Sequence, residues 1–273
     1  MDLSKQVAIV TGGGRGIGRQ IALSLADHGA RVAVVARTRD ELEATAELAG
    51  INRSNVLVAP ADMTEEASVA EVVAQVNAHF GPVSLLVNNA ATYTAGEPPF
   101  WEADLDAWWR TVDINVRGPL ICMRAVLPTM VAEGRGRIIT VSSDSGVLPF
   151  PVTSYSFGKS ALVRLTETLG ISLDSAATGV RTFAISPGTV QTRLTESFAA
   201  KYPDMEWTPA EDSGRLVAAL ASGRYDALHG RYLSVEDDLD WLLDRLDEVQ
   251  NEELLVTRMR AYGPGGAIVT NWE

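Results

Sequence analysis

The sequence predicts an α/β chain: a doubly wound parallel sheet of about seven strands with helices on both faces, followed by a C-terminal helical extension. Three observations carry this prediction. Short β-branched runs alternate with longer segments of helical period from the first residues onward, a glycine-rich turn joins the first strand to the first helix, and no stretch rich in Pro, Gly or Ser divides the series.

The elements follow in order. Val7–Val10 reads as the first strand, Gly16–His28 as a helix, Arg31–Ala36 as the second strand, Asp40–Ala49 as a helix and Asn55–Pro60 as the third strand. Glu65–Phe80 has helical period, and Val83–Asn88 is an apolar strand. Leu105–Ala132 reads as one long helix in which Pro119 and Pro128 are the points of expected kinking. Arg137–Ser142, Arg181–Ser186 and Arg231–Val235 supply the remaining strands, with Ser154–Ala177 and Pro209–Ser222 helical between them. Beyond Val235 the composition changes. Glu236–Tyr262 carries Leu239, Leu242, Leu243, Leu246, Val249, Leu254, Leu255 and Met259 at roughly helical spacing and predicts an amphipathic helix, packed on its own subunit or a neighbour or closing as a lid. A Gly-Pro-Gly-Gly break and a short tail, Ala267–Glu273, follow. The chain is therefore expected to divide into a domain over residues 1–235 and an extension over residues 236–273.

Composition narrows the function classes. The 273 residues suffice to bury a continuous core, and 46% hydrophobic with 21% charged residues is ordinary for a folded protein. The formal charge of −12 opposes non-specific attraction to nucleic acid or anionic lipid, so neither is expected as a partner. Cys122 is the single cysteine, which excludes an internal disulfide and a Cys-rich zinc site, and it reads as an inert core residue. His28 and His229 each precede a glycine, His79 stands two residues before Gly81, and none has metal-ligand spacing, so no metal is expected. No basic, apolar or small-residue leader precedes the first strand, and no window reaches the roughly 18 apolar residues of a membrane span. A cytoplasmic location is the expectation.

The first strand leads into Thr11-Gly12-Gly13-Gly14-Arg15-Gly16-Ile17-Gly18, in the βα turn where an open α/β sheet binds phosphates. Glycines let the backbone approach a pyrophosphate, and the helix start offers free N–H groups and a positive dipole end. The spacing is G-x-x-x-G-x-G at 12, 16 and 18, and no Gly-Lys-Ser/Thr follows, which sets aside a P-loop. About twenty residues on, where Asp or Glu would bond a ribose 2′-hydroxyl, stand Ala36-Arg37-Thr38-Arg39. Cations at Arg37 and Arg15 with the acid missing favour a 2′-phosphate, and hence NADP(H) over NAD(H).

Tyr155 and Lys159 stand one helical turn apart on the same face. A free tyrosine has a pKa of about 10, and a neighbouring ammonium favours the phenolate, so the pair reads as an acid/base couple. Ser143, twelve residues before Tyr155 at the end of a strand, adds a hydroxyl suited to a carbonyl oxygen. Asn115 interrupts a helical pattern where its propensity is poor, which points to a water or proton-relay role.

With these residues in place the sequence resembles the short-chain dehydrogenase/reductase family. The matching pieces are Thr11-Gly12, Gly16 and Gly18, Asp62, Asn88-Asn89-Ala90, Asn115, Ser143, Tyr155 with Lys159, and Pro187-Gly188-Thr189-Val190-Gln191-Thr192, in the family's order and spacing. The resemblance implies a Rossmann-type fold and a homotetramer or homodimer. It implies that Tyr155 protonates a carbonyl oxygen, Lys159 lowers the tyrosine pKa and bonds the nicotinamide ribose, Ser143 polarises the substrate, and Asn115 orders a water. It also implies cofactor contacts from Gly12, Gly14, Arg15, Gly16, Ile17, Gly18, Arg37, Thr38, Asp62, Met63, Asn89, Ala90, Tyr155, Lys159, Pro187, Gly188, Val190 and Thr192.

Three departures stand out. Ala91 replaces the glycine of the family's Asn-Asn-Ala-Gly, the twelve-residue Ser-to-Tyr spacing leaves Ser142 as an alternative to Ser143, and Val235-Glu236-Asp237-Asp238 replaces Val-Asp-Gly-Gly. The segments Thr92–Trp101, Asp144–Val152 and Arg193–Thr208 follow the carboxyl ends of strands and should surround the reacting carbon. They offer Tyr93, Phe100, Leu148, Phe150, Phe198, Tyr202 and Trp207 with few cations, which suggests a largely apolar carbonyl or alcohol substrate. Trp101, Trp108 and Trp109 read as core or subunit contact rather than a substrate cage. Two rival functions remain open: a 3-oxoacyl-thioester reductase, and a non-catalytic NADP(H)-binding sensor or scaffold.

Overall fold

A computed structural model describes residues 1–94, 97–258, 261–262 and 268–269. The Phe198 side chain, Met259 and most of the Ala267–Glu273 tail lie outside the described residues. Seven parallel strands form one sheet: β1 (Val7–Thr11), β2 (Arg31–Ala36), β3 (Val56–Pro60), β4 (Leu85–Asn88), β5 (Gly136–Val141), β6 (Val180–Ser186) and β7 (Tyr232–Ser234). Their spatial order is β3-β2-β1-β4-β5-β6-β7, so the winding direction reverses between β1 and β4. In such sheets ligands bind outside the carboxyl ends of the strands at this switch point.

The central strands are mostly apolar, with Arg31, Arg137 and Arg181 at or next to strand starts, because both faces of the sheet are covered. One face packs on α1 (Gly16–Asp27) and α8 (Ala210–Ala221), placing Ala8, Val10, Val34, Val87 and Phe183 in one core cluster with Ile21, Leu25, Val217 and Leu220. The other packs on α3 (Glu66–Phe80) and α5 (Gly118–Ala132), where Ile9, Val35, Leu86 and Ile138 meet Val72, Val76, Val126 and Met130. The remaining helices are α2 (Arg39–Leu48), α4 (Leu105–Val112), α6 (Thr153–Ser175), α7 (Glu196–Lys201), α9 (Leu239–Asp244) and α10 (Leu246–Asn251). A two-residue antiparallel pair, β8 (Ala261–Tyr262) with β9 (Ile268–Val269), stands apart from the main sheet. No helix of the described residues is long and apolar enough to cross a membrane.

Three expectations are corrected. The stretch expected as a single helix over Leu105–Ala132 is α4 and α5 joined by a π-helical turn at Asp113–Arg117. Pro119 sits in the first turn of α5 rather than kinking a helix interior, and it has no N–H to give the Asn115 carbonyl four residues back. Second, Glu236–Tyr262 is two short helices rather than one. Asp238 caps α9 by accepting from the backbone N–H groups of Asp240 and Trp241, while Arg245 leaves helical geometry at φ −119° and ψ 30° with its guanidinium over the Trp241 ring at 4.1 Å. Glu253 and Leu255 then adopt positive φ, which ends the helical run. Third, the segment Arg193–Thr208 contains α7, a helix too short to leave a clear period in the sequence.

The extension is not an appendage. Leu239, Leu242 and Val249 belong to the same buried cluster as α1 and α8, with Leu243, Leu246 and Leu255 packed against it. Beyond α10 the chain runs along the sheet edge: the Leu255 carbonyl accepts from the Tyr232 N–H at 2.9 Å, and Arg231 donates to the Leu254 carbonyl at 2.9 Å. Edge groups of β7 are thereby covered.

Candidate functional site

The carboxyl ends of β1 and β4 are tied together through Thr11. Its hydroxyl accepts from the N–H groups of Asn89 at 2.9 Å and Ala90 at 3.0 Å, while the Asn89 amide donates to the Thr11 carbonyl at 2.9 Å. This clamp holds the glycine turn against the Asn88-Asn89-Ala90 segment and shapes a cleft of about 990 Å³. Gly18 has to lack a side chain, because a Cβ there would overlap both the Gly12 carbonyl and the Asn89 amide. Gly16 adopts φ +52°, and its open side faces the Thr192 methyl across the cleft.

Of the sequence-derived cofactor residues, Gly12, Arg15, Gly16, Ile17, Gly18, Arg37, Thr38, Asp62, Met63, Asn89, Ala90, Tyr155, Lys159, Pro187 and Thr192 line this cleft. Three lie elsewhere. Gly14 packs against α2, where a Cβ would press on Glu41; Gly188 packs against Thr208; and Val190 is buried in the turn. Asn115 and Ser143 also sit outside the lining. Glu41, Ile114 and Arg117, which the sequence reading passes over, also line it, as do Asn88 of the Asn-Asn-Ala match, Cys122, expected in the core, and Arg193. Asn88 is 2% exposed, and its amide has no partner among the described residues. Cys122 borders the cleft, yet burial pushes its thiol up to about 12, which leaves it unreactive.

At the end of β2 the two arginines are not equivalent. Arg15 is held by Glu41 at 2.7 Å, which offsets part of its charge, whereas Arg37 is exposed at the cleft edge with no salt-bridge partner among the described residues. Asp62 accepts from the Thr64 N–H at 2.9 Å and hydroxyl at 2.7 Å. These bonds, more than the nearby Arg37 charge, hold its carboxyl below the usual range.

The other end of the cleft carries the acid/base residues. Tyr155 stands in the first turn of α6, Lys159 one turn on, and Ser143 at the loop after β5. The Ser143 hydroxyl accepts from the Ser145 N–H at 3.3 Å and from the Ser145 hydroxyl at 3.1 Å, and its proximity lowers the pKa of the Tyr155 phenol against the larger effect of burial. Adjacent Ser142 faces inward instead, 1% exposed, with its hydroxyl donating to the Lys159 carbonyl at 3.0 Å. Ser142 thereby anchors α6 while also lining the cleft, and Ser143 stands beside it at the loop after β5. Asn115 is buried and locked in place: its Oδ1 accepts from the Thr92 N–H at 2.8 Å and its Nδ2 donates to the Thr92 carbonyl at 2.9 Å. Its side chain is thus tied to the backbone of the β4–α4 segment.

The expected lowering of the tyrosine pKa by Lys159 is not seen. The Lys159 ammonium, 2% exposed, donates to the Val141 carbonyl at 2.7 Å and lies 5.5 Å from the Tyr155 ring centre. Burial pushes the phenol up to about 12 against the opposing effect of Ser143, and burial pulls Lys159 down to about 8. The two effects of pH then separate. An activity that needs the ammonium falls as pH rises through about 8. Stability moves oppositely: between about 8 and 10.5 the unfolded lysine binds a proton that the folded one has released, so raising the pH favours the folded state by up to about 3 kcal/mol. Turnover measured against pH beside urea midpoints at the same pH values is expected to show turnover falling while the midpoint rises. A common decline in both would refute the assignment to Lys159.

Seven parallel strands wound about a switch point, with the cleft opening at their carboxyl ends, define a Rossmann-type α/β protein. The short chain dehydrogenase family profile matches residues 6–203, and the chain belongs to that family. A short chain dehydrogenase of Pseudocercospora fijiensis is 32% identical, over 90% of this chain and 85% of that protein. Another from Monascus purpureus, mpl6, is 35% identical over 92% and 88% respectively. Among solved structures, actinorhodin polyketide ketoreductase with NADPH superposes with a TM-score of 0.78 at 28% identity, covering 86% of this chain and 97% of that one. A short-chain type dehydrogenase/reductase from Mycobacterium marinum gives 0.77 at 29% identity, covering 85% and 94%. The protein is accordingly an oxidoreductase of the short-chain type. Among the described residues no cluster of three or more His, Cys, Asp or Glu side chains is arranged to hold a metal ion.

Proposed function

We propose that the protein is an NADP(H)-dependent carbonyl reductase or alcohol dehydrogenase acting on a largely apolar small molecule. The observation that carries this reading is the pair Tyr155 and Lys159 at one end of a cleft whose other end is the glycine turn, with Ser143 on the loop after β5 next to the lining residue Ser142. The glycine turn fits a dinucleotide: a side chain at Gly18 would collide with its neighbours, and Gly16 leaves an open backbone beneath Thr192. When bound, the nicotinamide supplies or accepts the hydride. Tyr155 gives its proton to the carbonyl oxygen or takes it back from the alcohol, and Ser143 holds that oxygen beside the phenol. Lys159 keeps positive charge beneath the ring, and Asp62 and Arg37 hold the adenosine end. The likeness to a ketoreductase with NADPH supports both the reaction class and the cofactor.

Loss of NADPH absorbance over a panel of ketones, aldehydes and diketones tests the activity. Tight NADPH binding with no turnover on the whole panel would favour the sensor reading instead. Cofactor choice rests on Arg37, because Arg15 is already engaged by Glu41. Arg37→Glu is expected to cost about 10–100-fold in NADPH kcat/KM and much less with NADH, since one charge-assisted contact is lost. An unchanged NADPH-to-NADH ratio would remove Arg37 from that role.

A further inference from the structure

The catalytic helix lacks a cap of its own. The residue before its first turn is Val152, whose side chain cannot accept a hydrogen bond, so the opening N–H groups of α6 need an acceptor from elsewhere. Glu97, in the segment between β4 and α4, supplies it. One carboxylate oxygen accepts from the Thr153 N–H at 2.9 Å, the Thr153 hydroxyl at 2.5 Å and the Ser154 N–H at 3.3 Å; the other accepts from the Ser154 hydroxyl at 2.5 Å. The Trp108 indole N–H donates to the Thr153 hydroxyl at 2.9 Å and completes the set from α4.

We infer that Glu97 is a positioning residue for the proposed reaction: it clamps the first turn of α6 and so fixes the Tyr155 phenol relative to the substrate. The inference rests on the carbonyl-reductase reading above. Four bonds converge on the two residues immediately before Tyr155, so the backbone carrying the phenol has little freedom while they hold. A negative charge also suits the positive end of the helix dipole. The same segment reaches Tyr155 a second time, because the Tyr93 ring stands edge-on against the Tyr155 ring with centres 5.7 Å apart. Tyr93 lines the cleft as well, so the position of Glu97 sets both the proton donor and a wall of the substrate space.

Glu97→Ala and Glu97→Gln test this in the full chain, with three readouts. For Glu97→Ala, kcat with the best ketone is expected to fall about tenfold or more, while the NADPH dissociation constant stays within about twofold. Hydrogen exchange in the peptide that carries Thr153–Phe157 is expected to quicken about tenfold, with β1 and β4 unchanged. Glu97→Gln keeps an acceptor for the backbone N–H groups and is expected to restore most of both losses. Wild-type kcat in Glu97→Ala with normal NADPH binding overturns the inference. So does unaltered exchange at the start of α6, a measurement that needs no turnover and therefore separates failure of the clamp from failure of the proposed reaction. Should Glu97→Ala not fold, Glu97→Gln decides alone: no loss of kcat together with faster exchange confined to Thr153–Phe157 also overturns it, and a kcat loss of about two- to threefold with normal NADPH binding supports it.

Discussion

Replacing Tyr155 with Phe is expected to lower kcat for carbonyl reduction by about 10²–10⁴-fold, the usual contribution of a positioned general acid, with NADPH affinity nearly unchanged. The substitution is close to isosteric, and the edge contact with Tyr93 is made by the ring rather than the hydroxyl, so the wall of the cleft stays in place. What disappears is one proton. Burial holds the phenol up at about 12, so at neutral pH the wild-type group is protonated and ready to donate. In the oxidative direction the same burial opposes formation of the phenolate, and the Lys159 ammonium becomes more important there; oxidation is therefore expected to suffer at least as much. Steady-state kcat and KM in both directions, with NADPH binding measured by titration, check the result. A variant that turns over at the wild-type rate would remove Tyr155 from proton transfer and with it the proposed chemistry.

Much of this site was legible in the sequence because its geometry is carried by local spacing. The i, i+4 relation of Tyr155 and Lys159, the glycine turn between a strand and a helix, and the strand order implied by repeated βα units all follow from chain-local rules. What local spacing leaves open is decided by interactions between distant segments. Asn115 was seen as a poor helix residue, but the amide that explains it is paired to Thr92, 23 residues away. Arg15 looked free because Glu41, which holds it, lies on the next helix. Glu97 carried no recognisable motif; its meaning comes only from Thr153 and Ser154, more than fifty residues on. The Lys159 ammonium was assigned to the tyrosine by proximity in sequence, whereas the nearest strong acceptor is the Val141 carbonyl on the adjacent strand. Spacing predicts which groups share a face, but not which of several acceptors on that face wins.

Truncation after Val235 is expected to abolish folding rather than trim an accessory segment. The change in composition there suggested a boundary, and residues 236–273 do hold ten acidic side chains against three arginines. Their apolar positions, however, complete the core. Leu239, Leu242 and Val249 are each less than a tenth exposed within the cluster that contains Leu220, Leu228 and Leu233. Three buried aliphatic side chains contribute about 5–9 kcal/mol by burial alone, an amount comparable to the whole stability of a typical domain of about 5–15 kcal/mol. The removal also uncovers the Tyr232 N–H, which pairs with Leu255, and leaves β7 as an open sheet edge. Polar ties go with it: Asp240 accepts from the Tyr225 hydroxyl at 2.9 Å and pairs with Arg224 at 2.8 Å, and Arg258 pairs with Glu167 on α6 at 2.7 Å. Glu236, Asp238, Asp240, Asp244, Asp247 and Glu248 are exposed around this apolar seam, so their charge meets solvent while the leucines hold the segment down. Expression of residues 1–235 should therefore give insoluble or molten protein, judged by near-ultraviolet circular dichroism and size-exclusion chromatography, whereas ending the chain after Arg258 should retain the fold. A cooperative, NADPH-binding fragment of residues 1–235 would mean that the extension is dispensable and that the burial of Leu239, Leu242 and Val249 adds little.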